Sequence, residues 1–375
     1  MRIRCLNWNA AVSSLAAILL LSTDSSAVRA GSSPAMTDPP KPLPANIVAA
    51  WQGAGADFGW VRVGRAIGEQ FTRDPNDNKP GDLPAILFQR WPENLARLPA
   101  PASPFGLSLL GADVTDAGLK QLTGLKNLRA LVLDRTNITD AGLREVAGLT
   151  SLQSLDLKMV KVTDAGLKVL TRLKSLQSLS LWGTQLTDDG LKELAALNSL
   201  QSLDLCLTKV TDVGLKELVR LKSLQSLGLA GTQVTDVGLK ALAGLSSLQA
   251  LDLGSNFQLT DAGLKELAGL KSLQSLKLGD ARAVTDAGLK ELASLKNLRS
   301  LELDNTKITD AGLRQVALLT SLESLSICST QITDEGLKEL VGLKRLKRLE
   351  FRGTKLTETG LGELRKALPE CRFFR

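Results

Sequence analysis

Three carboxylates recur at one spacing: Asp156, Asp204 and Asp252 follow one another at 48-residue intervals, each between two leucines. Glu302 and Glu350 hold the same place further along the chain. Paired carboxylates are the working groups of glycoside hydrolases, one as acid and the other as base or nucleophile. The remaining composition does not support that chemistry. The chain has no His and no Tyr, which removes imidazole bases, His-bound metals and phenolic acids. "GAGADFGW", Gly53 to Trp60, contains a G-x-G but no phosphate-cradling pattern after it, which argues against a nucleotide site. An open row of acids suits macromolecular contact better than hydrolysis, so neither catalysis nor a cofactor or metal is expected.

The element that must position these acids is a repeat. "KVTDAGLKVLTRLKSLQSLSLWGTQLTDDGLKELAALNSLQSLDL", from Lys161 to Leu205, says nearly the same thing twice. Its threonine falls at 115, 139, 163, 187, 211, 235, 260, 285, 309, 333 and 357, and Asp follows in ten of the eleven copies. The intervals are 24 residues except for two consecutive ones of 25. Alternation at Leu203-Asp204-Leu205 predicts a short strand with one buried face. Leu215, Leu218 and Leu221 fall at helical spacing, so the second half of each unit is a short amphipathic helix. Thr211 is placed to cap that helix, and Asp212 sits near the positive end of its dipole. The recurring Gly leaves room for neighbouring repeats to approach closely.

One such unit cannot cover its own leucine stripe, so copies must stack. Strands pair about 4.8 Å apart, whereas helices need about 10 Å between axes. The stack must therefore curve, with a parallel sheet on the concave face and helices outside.

Residues 105–375, with wording such as "TDAGLKELAGLKSLQSLKL" from Thr260 to Leu278, resemble a leucine-rich repeat protein of the ribonuclease-inhibitor-like class, of exported bacterial type. The resemblance implies an α/β horseshoe solenoid with a protein-binding surface. The wording is also similar to repeats of F-box adaptors, although no F-box-like helical region precedes it. One departure concerns the inner turn, where those repeats carry Asn or Cys. This chain carries mostly Thr there, with Asn256 the one Asn and Ala112, Val160 and Ala281 lacking a polar group. A Thr hydroxyl can satisfy one backbone carbonyl but cannot bridge two as an amide can.

The chain divides on this reading into a signal peptide (1–30), a linker (31–45), a small N-terminal cap domain (46–104) and the repeat array (105–375). Arg2 and Arg4 precede an apolar run from Ala10 to Leu21, and small residues suit cleavage after Ala27 or Ala30. That run is short for a permanent span. A secreted, periplasmic or cell-envelope location follows, with no integral membrane span after cleavage. In the cap, Trp51, Trp60 and Trp91 are read as core; a ligand pocket using Arg62, Arg65, Asp57 or Asp82 is the other reading. The final segment places Cys371 and Phe373 in leucine positions and stops the array. Cys206 and Cys328 stand in equivalent positions five repeats apart, about 24 Å by strand spacing. That is far beyond disulfide reach, so both are expected to be free thiols.

Candidate binding residues are those flanking the strand leucines. Met159, Trp182 and Leu207 are expected to form one exposed apolar cluster flanked by Asp156 and Asp204, with Asp134 nearby, the profile of a binding hot spot. The expected function is a non-catalytic, monomeric scaffold holding a protein or peptide of some basic character on the concave face. The alternative is an envelope structural or adhesion protein holding acidic polysaccharide or a membrane surface through basic residues after each Gly-Leu, such as Lys168, Lys192 and Lys216. The second turn insertion lies near Arg282 and the first near Phe257; both read as tolerated or as a projecting contact edge. Nucleic acid is not expected, because the full chain's net charge of +7 falls to +5 without residues 1–30 and interleaved aromatics are missing.

Overall fold

The computed structural model describes residues 41–62, 71, 72, 74 and 79–375; the signal segment, most of the linker and Arg65 lie outside the described residues. The described chain is a leucine-rich repeat solenoid built on one 15-stranded sheet. Strands β1 (Asp57–Arg62), β2 (Phe71–Thr72) and β3 (Asp82–Leu87) open it, with β1 antiparallel to both neighbours. From β3 onward every pairing is parallel: β4 (Phe105–Ser108), β5 (Leu128–Val132), β6 (Ser154–Asp156), β7 (Ser178–Ser180) and β8 (Ser202–Asp204). The order continues through β9 (Ser226–Gly228), β10 (Ala250–Asp252), β11 (Ser275–Lys277), β12 (Ser300–Glu302), β13 (Ser324–Ser326), β14 (Arg348–Glu350) and β15 (Arg372–Phe374). Register is fixed by the leucines, with Leu155, Leu179, Leu203 and Leu227 side by side.

From β4 onward each strand returns to the next through a short helix such as Asp212–Leu218, whose Gly214, Leu215 and Leu218 face inward. Thr211 has extended backbone angles and its hydroxyl accepts from Val213 N, as a helix-capping residue should. The Asp beside it does more than complement a dipole. The Asp212 carboxylate crosses to the next repeat and accepts from both Thr235 N (2.8 Å) and Thr235 Oγ1 (2.6 Å). The same pair of bonds recurs from Asp116 with Thr139 through Asp334 with Thr357. This ladder explains the Gly as well: a Cβ on Gly238 would lie 2.3 Å from Asp212 Oδ1. The room the glycine leaves is occupied by a neighbour's carboxylate.

Under the strands, the inner-turn threonines each close one carbonyl: Thr208 Oγ1 donates to Leu205 O at 2.6 Å, and Thr306 Oγ1 to Leu303 O at 2.6 Å. Asn256 does what an amide can and a hydroxyl cannot, donating to Leu229 O and Leu253 O in successive repeats.

Several residues ahead of the first repeat, among them Ile47, Trp51, Ile86, Phe88 and Leu95, share this core. Helix Ala45–Gly53 buries Ile47 and Trp51, and Trp51 sits edge-on to Phe105 of β4 while its Nε1 donates to Pro99 O at 2.9 Å. Leu43 and Ile47 belong to the same buried cluster as the array leucines. At the far end Cys371 is buried, and Phe373 packs in part against the last leucines.

Candidate interaction surface

The concave lining is set by strand alternation. Residues beside the leucines point to the lining, and those one or two places later enter the turn toward the helix. Asp156, Asp204 and Asp252 do line this face, but the first two are only 4% and 2% exposed. Each folds back on its own turn: Lys158 N donates to Asp156 Oδ1 (3.0 Å), Cys206 N to Asp204 Oδ1 (3.1 Å) and Gly254 N to Asp252 Oδ1 (3.0 Å). These are Asx turns, in which the side chain substitutes for a backbone carbonyl and fixes the strand exit. Lysines cover them: Lys158 Nζ lies 3.5 Å from Asp156 and Lys277 Nζ 3.8 Å from Asp252. Asp156 and Asp204 therefore do not stand beside the apolar residues as free carboxylates. Close strand spacing along the inside of the arc buries Asp156 and Asp204, while Asp252, Glu302 and Glu350 further along are only partly covered and Lys277 is exposed.

That crowding sets the electrostatics. Burial pushes the carboxyls of Asp156 and Asp204 up, with Lys158 and the Cys206 bonds respectively opposing the rise. Asp134 is raised by burial and by Asp156, and its Oδ1 is buried with no hydrogen-bond partner among the described residues. Burial works against the Lys158 ammonium, but Asp156, Asp204 and Asp134 outweigh it and its pKa rises. Glu302 is the extreme case, pushed by burial to about 7 despite Lys277, with Asp304, Asp252 and Glu350 adding to the rise.

The apolar residues divide between two rows. Backbone bonds align Met159 N with Trp182 O, and Leu207 N with Ala230 O, so Lys158, Trp182 and Cys206 form one row. The next row outward holds Met159, Gly183 and Leu207, so Trp182 stands beside the other two and not in line with them. Trp182 is half-buried, whereas Met159 and Leu207 are 42% and 46% exposed. Every residue of the outer row has positive φ: Gly111, Arg135, Met159, Gly183, Leu207, Gly231, then Ser255 to Gly353. Met159 Sδ lies over Gly183, where a Cβ would come within 2.6 Å, and Leu207 covers Gly231 in the same way.

Sequence reasoning missed this left-handed row. The glycines at 111, 183, 231 and 353 in register were its available signal. It also left the two turn insertions separate, whereas the Arg282 guanidinium sits 5.7 Å over the Phe257 ring, joining them. Arg62 and Asp82 form a two-bond ion pair at 2.8 and 2.9 Å that ties β1 to β3. Cys206, Cys328 and Cys371 are free thiols. No group of three or more acidic or sulfur side chains among the described residues is placed to hold a metal. On the helix exterior Lys192 pairs with Asp189 and Lys338 with Glu335, which mixes the charges there.

Comparison with known proteins agrees with this architecture. Two leucine-rich repeat profiles match the chain, one over residues 222–281 and the other over 124–147, 172–195, 196–219, 294–317 and 319–341. A search of the curated proteins finds no match. Among solved structures, the chain is similar to an internalin (InlF) from Listeria monocytogenes at 25% identity and a TM-score of 0.51. That likeness covers 72% of this chain and 86% of the other. An internalin C2 from the same organism aligns at 29% identity over 56% of this chain and 83% of its own, with a TM-score of 0.44.

Proposed function

We propose that this leucine-rich repeat chain is an exported, non-catalytic interaction scaffold that holds a protein or peptide against the concave side of the array, centred on Met159, Trp182 and Leu207 with Asp134 beside them. The observation that carries the reading is the occupancy of the left-handed row. Positive φ is costly for a bulky side chain, and Gly, Ser or Asn fills most of the row at little cost. Met and Leu at 159 and 207 accept that cost and leave large apolar surfaces in water. Folding does not require them, because glycine serves at the equivalent place in the repeat after each, at Gly183 and Gly231. A contact surface does, since exposed apolar side chains ringed by polar groups are what a partner buries. The lining offers buried acids and few free cations, so the partner is of basic character. Among the described residues no helix is long and apolar enough to cross a membrane, and the apolar run from Ala10 to Leu21 supports export.

The test is capture of proteins from the producing cell's envelope and culture fluid on the immobilised full chain, wild type beside a Met159→Ser, Leu207→Ser double variant of equal thermal stability. The captured set should include a basic protein lost from the variant, cross-linking to the 159–207 region. Equal capture by both chains refutes the site.

A further inference from the structure

Among the described residues, β15 is last in the sheet order, with β14 as its one neighbour. Arg372 N donates to Lys347 O at 2.8 Å, and Phe374 O accepts from Phe351 N at 3.1 Å. In a parallel ladder successive residues address opposite neighbours, so the N–H and C=O of Phe373 point away from the sheet. An uncovered strand edge of this kind is a template for another strand.

The charge around it is unlike that of the rest of the chain. Residues 344–375 hold ten Lys and Arg against four Glu, a net +6 of the chain's +7. Lys347, Arg348, Arg365 and Arg375 have acidic partners. The other six are exposed and have none among the described residues, Arg372 on the edge strand and Lys366 on the closing helix Glu358–Ala367 included. Two aromatic rings complete the end: Phe374 is 38% exposed with the Arg348 guanidinium 4.2 Å above it, and Phe373 lies 5.6 Å below Arg365. Edge charge of one sign blocks pairing with a second copy, because two such ends repel. It does not block a strand of opposite charge.

We infer that the outer edge of β15 is a strand-addition site for an extended acidic segment of a partner polypeptide, which bonds the Phe373 backbone and sets its carboxylates against Arg372, Arg375 and Lys366. Main-chain bonds supply the docking and the basic rim supplies the selection, the usual division of labour in strand addition. The site is distinct from the concave surface and does not depend on it.

The experiment uses the full chain and a fluorescent hexapeptide probe of alternating Glu and Val, read by anisotropy at low and high salt. Three further probes accompany it: the Lys-Val counterpart, the Glu-Val peptide N-methylated at each Val, and heparin with phosphatidylserine vesicles as non-peptide polyanions. Binding of the Glu-Val probe is expected to weaken about tenfold or more with the Lys-Val sequence, with N-methylation and with an Arg372→Glu, Arg375→Glu variant of unchanged unfolding midpoint. The Met159→Ser, Leu207→Ser variant should bind the probe as the wild type does, which separates this site from the concave one. Equal binding of the methylated and parent peptides overturns the inference, because it reduces the contact to charge alone. So does retention of heparin or vesicles without the peptide, absence of peptide binding at millimolar concentration, or an edge-paired dimer in sedimentation equilibrium.

Discussion

The Asp-to-Thr ladder and the glycine beneath it make a coupled pair that a double-mutant cycle can resolve. Asp236 accepts from Thr260 N at 2.9 Å and from Thr260 Oγ1 at 2.6 Å. Hydrogen bonds to a charged group contribute about 1.5–3 kcal/mol each, and this carboxylate is only partly sheltered, so the lower end applies. Asp236→Ala should then cost about 3 kcal/mol, with a few tenths more from the first turn of its own helix. A Cβ on Gly263 would lie 2.3 Å from Asp236 Oδ1 and 3.1 Å from Leu239 Cδ1. Leu239 can yield a little; a doubly bonded carboxylate cannot. Gly263→Ala alone must therefore break the ladder at that step and cost about 2–3 kcal/mol, against a gain of about 1 kcal/mol in helix propensity. In the Asp236→Ala background the obstructing oxygen is gone, and the same Gly263→Ala change should be neutral or stabilising by up to about 1 kcal/mol. The coupling energy is thus about 2–3 kcal/mol, well outside the scatter of additive pairs. Urea unfolding followed by circular dichroism, with local hydrogen exchange at residues 236–267 to guard against partial unfolding of the array, measures it. If the two substitutions add, the glycine serves helix approach in general and the carboxylate does not explain the repeat's wording.

Asn256→Thr should cost about 1 kcal/mol and Asn256→Ala about 2 kcal/mol, because the first keeps a bond to Leu253 O and the second leaves that carbonyl short of a donor, while Leu229 O keeps Thr232 Oγ1 in both; the order of unfolding midpoints checks this. Glu302 titrates at about 7 in the folded chain, above the 4.5 of the free side chain. The folded state therefore holds its proton more tightly, and stability falls as pH rises from about 4.5 through 7, by at most about 3 kcal/mol. Glu302→Gln should remove that slope, so its stability relative to wild type must grow between pH 5 and pH 8, and a carbon-13 titration should place the carboxyl midpoint near 7. Burial pushes the Cys206 thiol well above its ordinary value and raises Cys328, which is half-buried, to a lesser degree; disulfide exchange reagents should modify Cys328 in the native chain while Cys206 reacts only on unfolding.

The solenoid was legible because its information is local and repeated. The period, the leucine alternation and the Thr at the head of each helix recur through eleven repeats, and the Thr hydroxyl caps its helix in all but one, at Thr163. What lay beyond reading was contact between repeats. Asp212 looks like any first-turn acid until Thr235, 23 residues later, is seen to stand beside its carboxylate. Asp204 read as a displayed charge because sequence gives the face on which a side chain lies but not the curvature that decides how much of it water reaches. Met159 and Leu207 were picked out by type, yet their left-handed backbone was not, since neither residue advertises that conformation.

These differences move the expected contact outward. On the inside of a curved parallel sheet, side chains stand about 4.8 Å apart, and anything longer than Ser must fold onto its neighbours, as Asp156, Lys158 and Asp204 do. Such residues set the electrostatic floor of the surface. They cannot reach across to a partner without giving up bonds that close the strand turns. In the left-handed row Met159 and Leu207 lie over Gly183 and Gly231 of the next repeats and keep an exposed face. The stack tolerates variation at 135, 159, 207, 255 and 280, from Arg through Met and Leu to Ser and Asp, with the backbone strain of a bulky residue as its local cost. A repeat protein can change its recognition at this rim while the ladder of Asp, Thr and Gly stays constant underneath. A scan exchanging the rim residues singly for Gly should therefore leave unfolding midpoints near wild type or slightly raised, whereas exchanging Asp204 or Asp252 should lower them. A rim residue whose loss unfolds the chain would reverse that assignment.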